Sequence, residues 1–363
     1  MYVKVKRAIR CIIFCVAIAV VTPSSAINGV LYDSGRLASS LIKQAHQDKY
    51  GFVWTTTEFG LSKFDGYHFT NYYHSSIDTM SILDNNVTSI ASTTRGELYI
   101  GCNKGLMKYD YSMDHFIRLR FPDGIQPRVT SLFECPDGVL LISTAGYGIY
   151  SLDKSHTLRS IDAFGSMTNS PFLSLVKVER KGHVWAITND GRLFRFTMNG
   201  GKPTAAKQVG KNITLIKMEE LADGRMLLFT QSDILQYDEK TMTMKATDYL
   251  LPNDIKIASA KCIKGGDILI GTITNGLYII KRGEKAAVEE QIFNYHFQLP
   301  DMTVNCIMQD KDQNIWLTSP RHRLYLSSTS KNMFHSWNLN CDGHKLCDGV
   351  ASIAVSPVGA YFL

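Results

Sequence analysis

A unit of four strand-like runs recurs through the whole chain, and it constrains the fold more than any other feature. In the first copy, which starts at Leu41 (LIKQAHQDKYGFVWTTTEFGLSKFDGYHFTNY), the runs alternate with short turns. The same order of strands and turns returns from Val87, Val129, Leu173, Ile213, Ile255 and Val304. A period near 40–45 residues with four strands per unit is typical of a β-propeller blade.

The first turn of each unit fixes this period. Glycine supplies the positive φ that a tight hairpin needs, and asparagine replaces it once. The turn residues lie 42 to 48 positions apart: Gly51, Gly96, Gly138, Gly182, Gly224, Gly266, Asn314 and Gly359. The repeats predict an all-β, seven-bladed propeller of four-stranded blades over residues 27–349, with almost no helix. Residues 350–363 predict the truncated start of a further blade, and Gly29–Ser34 is a candidate strand for ring closure.

Two other positions recur within the unit. One site in the second strand is aromatic in four copies, where we expect the side chain to fill the wedge between blades: Trp54, Tyr99, Trp185 and Trp316. Small residues follow the second strand, and we expect their size to let neighbouring units pack closely: Thr57, Thr144, Thr188, Thr230 and Thr272.

The amino terminus has the pattern of an export signal. A basic head (MYVKVKRAIR) precedes the apolar run Cys11–Val21, and the small residues Ser24 and Ala26 occupy the positions that a signal peptidase requires. Such a run spans about 16 Å as a helix, roughly half of a bilayer core, so it predicts a cleaved signal and not a membrane anchor. We expect residues 1–26 to be a signal peptide and the protein to reach the periplasm.

The charge distribution excludes one class of partner. The formal net charge is +6, but four basic residues and no acidic residue lie in the first 26 positions. The remaining 35 basic residues are nearly balanced by 33 acidic residues. This excess is too small for a protein that binds nucleic acid through counterion release. We therefore expect no nucleic acid contact by this chain.

The cysteines suggest one disulfide at most. Cys102, Cys262 and Cys306 lie in or beside apolar strand-like runs, where a thiol usually behaves as a small hydrophobe. Cys341 and Cys347 flank a polar loop and form the candidate disulfide. The sequence has no Cys-x-x-Cys pair, and its histidines show no metal-ligand spacing. We predict no metal site and no cofactor.

The repeat resembles a known family. The string QDKYGFVWTTTEFGLSKFDGYHF is similar to the two-component regulator propeller repeat, and LYDSGRLASSLI resembles the lead-in to its first copy. The resemblance covers residues 30–363 and is sharpest in repeats one, two and six. Repeat five lacks the usual glycine at Gln231–Ile234, and repeat seven has a basic turn at Pro320–Arg323.

This resemblance implies a sensory role. Such repeats occur mainly in periplasmic sensors of hybrid two-component systems, where propellers precede a β-sandwich, a membrane helix, a histidine kinase, a receiver and a DNA-binding domain. The implied ligand is an oligosaccharide released from a polysaccharide. The implied partners are the further propeller, membrane and kinase regions of a receptor, with a homodimer as one option. The chain contains no kinase motif, so we expect no enzymatic activity from it.

Propeller geometry indicates where a ligand would bind. Side chains from several blades converge around the central channel, on the face that bears the turns between second and third strands. Those turns hold the candidate ligand-binding residues Glu58, Tyr147, Asn189, Asp190, Arg321, His322 and Arg323. The basic cluster Arg321–Arg323 breaks the repeat where other copies keep glycine, and guanidinium groups suit carboxylates and sulfates. The hypothesis is contact with an acidic sugar, and the alternative is a solvated turn with ordinary surface charge.

One metal-like pattern fails on its spacing. The motif Asp310-x-Asp312-x-Asn314 copies the opening of an EF-hand loop, but Ile315 replaces the required glycine and Arg321 the required glutamate. We interpret the segment as a solvated hairpin turn.

Two other functions stay open beside the sensor. One is a secreted propeller enzyme of the streptogramin-lyase type, and the other is a protein-binding scaffold, because the fold alone does not decide function. An enzyme would need a histidine and an acid that converge on one face. His46, His183 and His322 occupy different places within their repeats, which disfavours the enzyme.

Overall fold

The computed structural model describes most of the repeat region. The described residues are 28–33, 36–161, 173–199, 202–290, 303–320 and 323–328, with short stretches at 340–341, 344–345, 353–356 and 359–362. The chain divides into two compact units, residues 1–329 and residues 330–363. The predicted signal peptide lies outside the described residues.

The first unit consists of seven four-stranded antiparallel sheets, which confirms the predicted seven-bladed propeller. Strand β1 (Asn28–Asp33) belongs to the last blade. Blade one is formed by β2 (Ile42–Gln47), β3 (Val53–Thr57), β4 (Leu61–Phe64) and β5 (Phe69–Tyr72). Blade two is formed by β6 (Val87–Ser92), β7 (Leu98–Cys102), β8 (Gly105–Asp110) and β9 (His115–Leu119). Blade three is formed by β10 (Val129–Glu134), β11 (Leu140–Thr144), β12 (Gly148–Leu152) and β13 (Leu158–Ile161).

The remaining blades follow the same meander. They are formed by β14 (Leu173–Val178), β15 (His183–Thr188), β16 (Leu193–Asn199) and β17 (Lys202–Gly210), then β18 (Leu215–Glu220), β19 (Met226–Thr230), β20 (Ile234–Asp238) and β21 (Thr243–Ala246), then β22 (Ile257–Cys262), β23 (Ile268–Thr272), β24 (Leu277–Ile280) and β25 (Val288–Glu289), then β26 (Cys306–Gln309), β27 (Ile315–Ser319) and β28 (Arg323–Ser328). Helical structure among the described residues is limited to short 3₁₀ turns such as Pro122–Gly124.

The amino-terminal strand closes the ring, with one correction to the prediction. Repeat seven supplies only three strands, and β1 pairs antiparallel with β28 as the fourth, from Asn28 opposite Ser328 to Asp33 opposite Arg323. The closing strand therefore completes blade seven and not an eighth blade. Strand β1 is the outermost strand of this sheet, so the backbone hydrogen bonds between β1 and β28 join the two ends of the repeat array.

The second unit is small. Two short strand pairs are described in it, β29 (Asn340–Cys341) with β30 (His344–Lys345) and β31 (Ile353–Ser356) with β32 (Gly359–Phe362). The hairpin β31–β32 coincides with the predicted start of a further blade, but an eighth blade is not confirmed. Cys347 and the boundary predicted at residues 349–350 lie outside the described residues, so the disulfide with Cys341 stays a prediction.

The core of the propeller is divided among the contacts between neighbouring blades. Each hydrophobic cluster of the first unit joins two consecutive blades, and one cluster joins blade seven to blade one through Trp316, Phe64 and Leu324. The four recurring aromatic residues are at most 3% exposed, and each packs against the next blade. Their predicted role as wedge fillers is confirmed.

Three of these aromatic residues, the tryptophans, each donate a hydrogen bond to a buried acid, which the sequence pattern did not predict. The indole nitrogens of Trp54, Trp185 and Trp316 donate to the carboxylates of Asp48, Glu179 and Asp310 at 2.8, 2.6 and 2.9 Å. The acid lies six residues before the tryptophan each time. A buried indole N–H needs such an acceptor, because leaving it unpaired in the core costs free energy.

The recurring threonines form a hydrogen bond that their predicted role in close packing did not include, and that packing role stays a prediction. The hydroxyl group of each donates to a carbonyl of the turn that follows, at 2.8 to 3.3 Å: Thr57, Thr144, Thr188, Thr230 and Thr272. The position therefore selects a hydroxyl that caps the turn between second and third strands. Gly101 and Gly271 allow the next blade to approach closely, since an added Cβ would lie 2.5 Å from Val129 Cγ1 and 2.4 Å from the Val304 carbonyl oxygen.

Candidate functional site

The inner strands of all seven blades surround a cavity of about 400 Å³ on the propeller axis. Polar side chains supply much of its lining: Lys43, Gln44, Thr88, Ser89, Thr130, Ser131, Lys217, Ser259 and Asn305. A cavity of this volume is within the range of small-molecule sites. This central channel is the candidate functional site.

A recurring β-bulge explains why the channel is polar. In five inner strands the pairing register shifts after the first residue, for example between Ile42 and Gln44 and between Val87 and Ser89. A bulge re-aims side chains that regular alternation would send to opposite faces. Both residues of pairs such as Lys43 and Gln44 therefore line the channel.

Many of the channel hydroxyls serve the scaffold. Thr88 donates to the carbonyl oxygen of Val129 at 2.6 Å, and Ser259 donates to that of Val304 at 2.6 Å. Asn305 closes the series with a 2.8 Å bond from its side-chain nitrogen to the carbonyl of Ile42. These three bonds join blade two to blade three, blade six to blade seven and blade seven to blade one, so part of the polar lining also holds the ring together.

Two other polar groups of the channel, on Lys217 and Ser89, form no bond to a neighbouring blade among the described residues. Lys217 is exposed and has no ion-pair partner within 4 Å among the described residues. The Ser89 hydroxyl is 96% buried and likewise has no hydrogen-bond partner among those residues. Lys43 differs, because its ammonium group contacts Asn86 at 2.6 Å and Glu58 at 3.6 Å. Lys217 is therefore available to a ligand, whereas the Ser89 hydroxyl is closed off from solvent.

The charge around Lys217 is positive. Glu219, which is 3% exposed, is shared by Lys261 at 3.1 Å and Lys177 at 3.8 Å, on the inner strands of the two neighbouring blades. Burial lowers the pKa of Lys177, and the charges of Lys217 and Lys261 add to that effect. Burial also raises the pKa of the Cys306 thiol in the channel wall, where the same two lysines oppose the shift. Of these lysines, Lys217 lines the channel and has no ion pair among the described residues, so it attracts anions to this side of the channel.

The predicted site residues lie at the turns and not in the channel. Tyr147, Asn189 and Asp190 are exposed on the turns of blades three and four, and Asp190 pairs with Arg192 of its own turn at 2.9 Å. Glu58 is connected to the channel through Lys43. None of these four residues is part of the described channel lining.

The basic cluster of repeat seven has a different status. Arg321 and His322 lie outside the described residues, and Arg323 is the first residue of β28, where its backbone pairs with Asp33. The proposed sugar contact of these residues stays a prediction.

A sequence signal for the channel residues did exist. Val87-Thr88-Ser89 and Val129-Thr130-Ser131 place two consecutive polar residues in strands that are otherwise apolar. Regular alternation would put only one of each pair on the channel face, so the pattern signals a bulge. Without the bulge, Lys217 has no distinguishing feature in the sequence.

The EF-hand-like segment is a hairpin turn, as predicted, but its first carboxylate is not solvated. Asp310 is 9% exposed and accepts bonds from the backbone and side-chain nitrogens of Asn314 at 2.8 and 2.9 Å, as well as from Trp316. Within the described part of the chain, no cluster of three potential metal ligands occurs. No helix in that part is long and apolar enough to cross a bilayer.

The chain matches one family model. Residues 298–321 match the model described as two component regulator propeller. The match falls on repeat seven, which departs from the family pattern only at its end. Among curated proteins, none matches the chain.

The fold has solved relatives among bacterial sensors. The extracellular domain of a putative hybrid two component system from B. thetaiotaomicron is 20% identical with a TM-score of 0.68, over 93% of this chain and 46% of that one. A second extracellular domain from the same organism is 17% identical with a TM-score of 0.67, over 84% of this chain and 43% of that one. The chain thus spans about half the length of these relatives.

The fold is also similar to that of an enzyme. A catalytically inactive variant of virginiamycin B lyase from Staphylococcus aureus, solved with quinupristin, is 13% identical with a TM-score of 0.62, over 83% of this chain and 99% of that one. The described histidines of this chain do not line the channel. The chain therefore contains a segment that matches the two component regulator propeller family, on a fold that it shares with the extracellular domains of two component systems.

Proposed function

We propose that this chain is the ligand-binding propeller of an exported sensor, in the amino-terminal part of a hybrid two-component histidine kinase. The family match and the similarity to sensor extracellular domains support this role. The signal-like residues 1–26 support export to the periplasm. In this proposal, the kinase that receives the signal lies in another region of the receptor.

The proposed ligand is an oligosaccharide derived from a polysaccharide, bound in the central channel. The observation that carries this proposal is Lys217, an exposed cation without an ion-pair partner among the described residues, in a cavity lined by hydroxyl and amide groups. Hydroxyl and amide groups match the donors and acceptors of a sugar. The lysine favours a sugar that carries a carboxylate or sulfate group.

The turns with the predicted site residues contribute to the mouth of this channel in our proposal. Glu58 supports the placement, because its carboxylate contacts Lys43 in the channel wall. Tyr147 offers an aromatic face, and Asn189 and Asp190 offer exposed polar groups. Arg321, His322 and Arg323 complete the proposed rim.

Signalling requires that the ligand prefer one arrangement of the receptor over another. A ligand with equal affinity for both arrangements would shift no population, however tightly it bound. A channel walled by seven blades suits this requirement, since a bound sugar contacts several blades at once.

The proposal is tested by calorimetric titration of residues 27–363 with neutral and acidic oligosaccharides released from polysaccharides. We expect saturable binding of an oligosaccharide and no chemical change in it. Turnover of quinupristin, with no oligosaccharide bound, would favour the lyase function and contradict the sensor.

A further inference from the structure

A second cavity lies between blades five and six, away from the propeller axis. It has a volume of about 530 Å³ and is formed by the turn between first and second strands of both blades, by the turn after β24, and by Tyr249. These turns lie at the opposite strand ends from the turns that carry Glu58 and Tyr147. We name this cavity the blade 5–6 groove; nothing in the proposed function uses it.

The groove is strongly cationic. Arg225, Lys264, Lys281 and Arg282 line it, and Asp223 is the one acid in the lining. Asp223 is engaged by Arg225 at 2.8 Å. Lys264, Lys281 and Arg282 have no ion pair within the described part of the chain. These three cations are exposed, so they attract an anion that enters the groove.

The shape of the groove suits more than a free ion. Its floor contains the buried side chains of Leu221, Ile268 and Ile280, and its wall includes the half-buried ring of Tyr249. Gly265 leaves open space in the lining, since a Cβ added there would meet no atom within 4 Å. The groove thus combines an apolar floor and an aromatic ring with cations, as ligand sites commonly do.

One cation is positioned by its surroundings. A Cβ added to Gly266 would come within 2.9 Å of Arg282 Cδ, so the arginine stem lies against this glycine. The Arg282 backbone nitrogen donates to the Asp267 carboxylate at 2.7 Å, which fixes the start of the turn. The guanidinium group carries a planar fork that matches carboxylate and sulfate oxygens.

We propose that the blade 5–6 groove binds a saccharide through a carboxylate or sulfate group, separately from the central channel. Lys264, Lys281 and Arg282 contact the anionic group, and the sugar ring lies against Tyr249 and the apolar floor. The site is independent of the sensor proposal, because it uses other residues on other turns.

The test is calorimetric titration of residues 27–363 with a chondroitin 6-sulfate disaccharide at fixed ionic strength. We expect the Lys264→Ala/Lys281→Ala double variant to bind about tenfold or more weakly, since two charge-assisted contacts are lost. The matched control is Lys181→Ala/Lys240→Ala, which removes the same charge from exposed positions elsewhere and leaves affinity unchanged. Equal weakening by both double variants would overturn the site.

A second variant tests the cavity without changing any charge. A Cβ at position 265 meets no other atom within 4 Å, so we expect Gly265→Phe to leave the melting temperature unchanged. The phenyl ring would occupy the groove, so we expect this variant to lose disaccharide binding. Binding that persists in Gly265→Phe and disappears in Lys217→Ala would assign the disaccharide to the channel and overturn the groove.

Inorganic sulfate and neutral N-acetyllactosamine separate the two parts of the ligand. We expect both to bind more weakly than the sulfated disaccharide, because each lacks one set of contacts. Sulfate that binds as tightly as the disaccharide would overturn the saccharide assignment, and absence of disaccharide binding would overturn the proposal as a whole.

Discussion

The blade interfaces and the central channel use the same inner hairpins but treat polar groups differently. At the interfaces, the buried carboxylates of Asp48, Glu179 and Asp310 each accept a bond from a tryptophan six residues later. In the channel, Lys217 and Ser89 have no partner among the described residues. Paired polar groups fix a structure, whereas an unpaired group that solvent reaches, such as Lys217, is available to a ligand. The comparison separates the residues that hold the propeller together from those that we propose contact the ligand.

The largest expected effect is at an interface. Trp54→Ala should lower the free energy of unfolding by about 3–5 kcal/mol, because the side chain is fully buried between blades one and two and leaves a cavity. Urea unfolding followed by circular dichroism measures it. Tyr67→Ala is the control, since Tyr67 is 82% exposed and its loss should cost little. Equal costs for the two variants would remove the distinction between interface and surface.

The carboxylate beside this tryptophan gives the next largest effect. Asp48 is fully buried and accepts bonds from the backbone nitrogens of Tyr50 and Phe52, from Trp54 and from the Tyr111 hydroxyl. Asp48→Ala leaves these donors unpaired, so we expect a loss of about 2–3 kcal/mol by the same urea assay. A loss as small as that of an exposed-turn variant would show that the pairing does not stabilise the interface.

Acid should weaken the scaffold through His46. Burial lowers its pKa to about 4, with the charges of Asp48 and Lys311 as smaller influences, and its ring contacts the Ser92 hydroxyl at 2.7 Å. The unfolded chain binds the proton first, near the usual pKa of 6.5, so stability falls as the pH drops from 6.5 towards 4. We expect His46 to account for a loss of about 2 kcal/mol between pH 7 and pH 5.

His46→Gln provides the comparison for this pH effect. Glutamine does not titrate, so the difference in unfolding free energy between the two proteins should change by that amount over the same pH range. Parallel pH profiles would contradict the role of His46.

The fold could be predicted because its determinants are local. The turn glycines and the buried aromatic residues, such as Gly51 and Trp54, recur at a fixed spacing and are visible without tertiary contacts. Ring closure by β1 could only be suggested, since Asn28 and Ser328 pair across nearly the whole chain. The capping hydrogen bond of Thr57 was not predicted, because small size and hydrogen-bonding ability select the same residue at this position.

The channel could not be predicted from the same pattern. Whether Lys217 faces the axis depends on the register shift between Leu215 and Lys217, and a one-residue slip changes the face of every later side chain. The predicted site residues such as Glu58 lie on turns, whereas the channel is lined by residues of the inner strands, and the role predicted for the turn residues stays a prediction.

The smallest expected effect on stability belongs to Lys217, the residue that carries the proposed ligand binding. Lys217→Ala should change the free energy of unfolding by less than about 0.5 kcal/mol, because the side chain is exposed and has no ion pair among the described residues. Lys211→Ala is the matched control, an exposed lysine in the loop that leads to the same blade.

The most direct test of the account is therefore the affinity of Lys217→Ala, measured by calorimetry with the oligosaccharide that the unaltered chain binds. We expect affinity to fall about tenfold or more while Lys211→Ala keeps it, since one charge-assisted contact is lost. Unchanged affinity in a folded Lys217→Ala protein would contradict the central channel as the site of recognition.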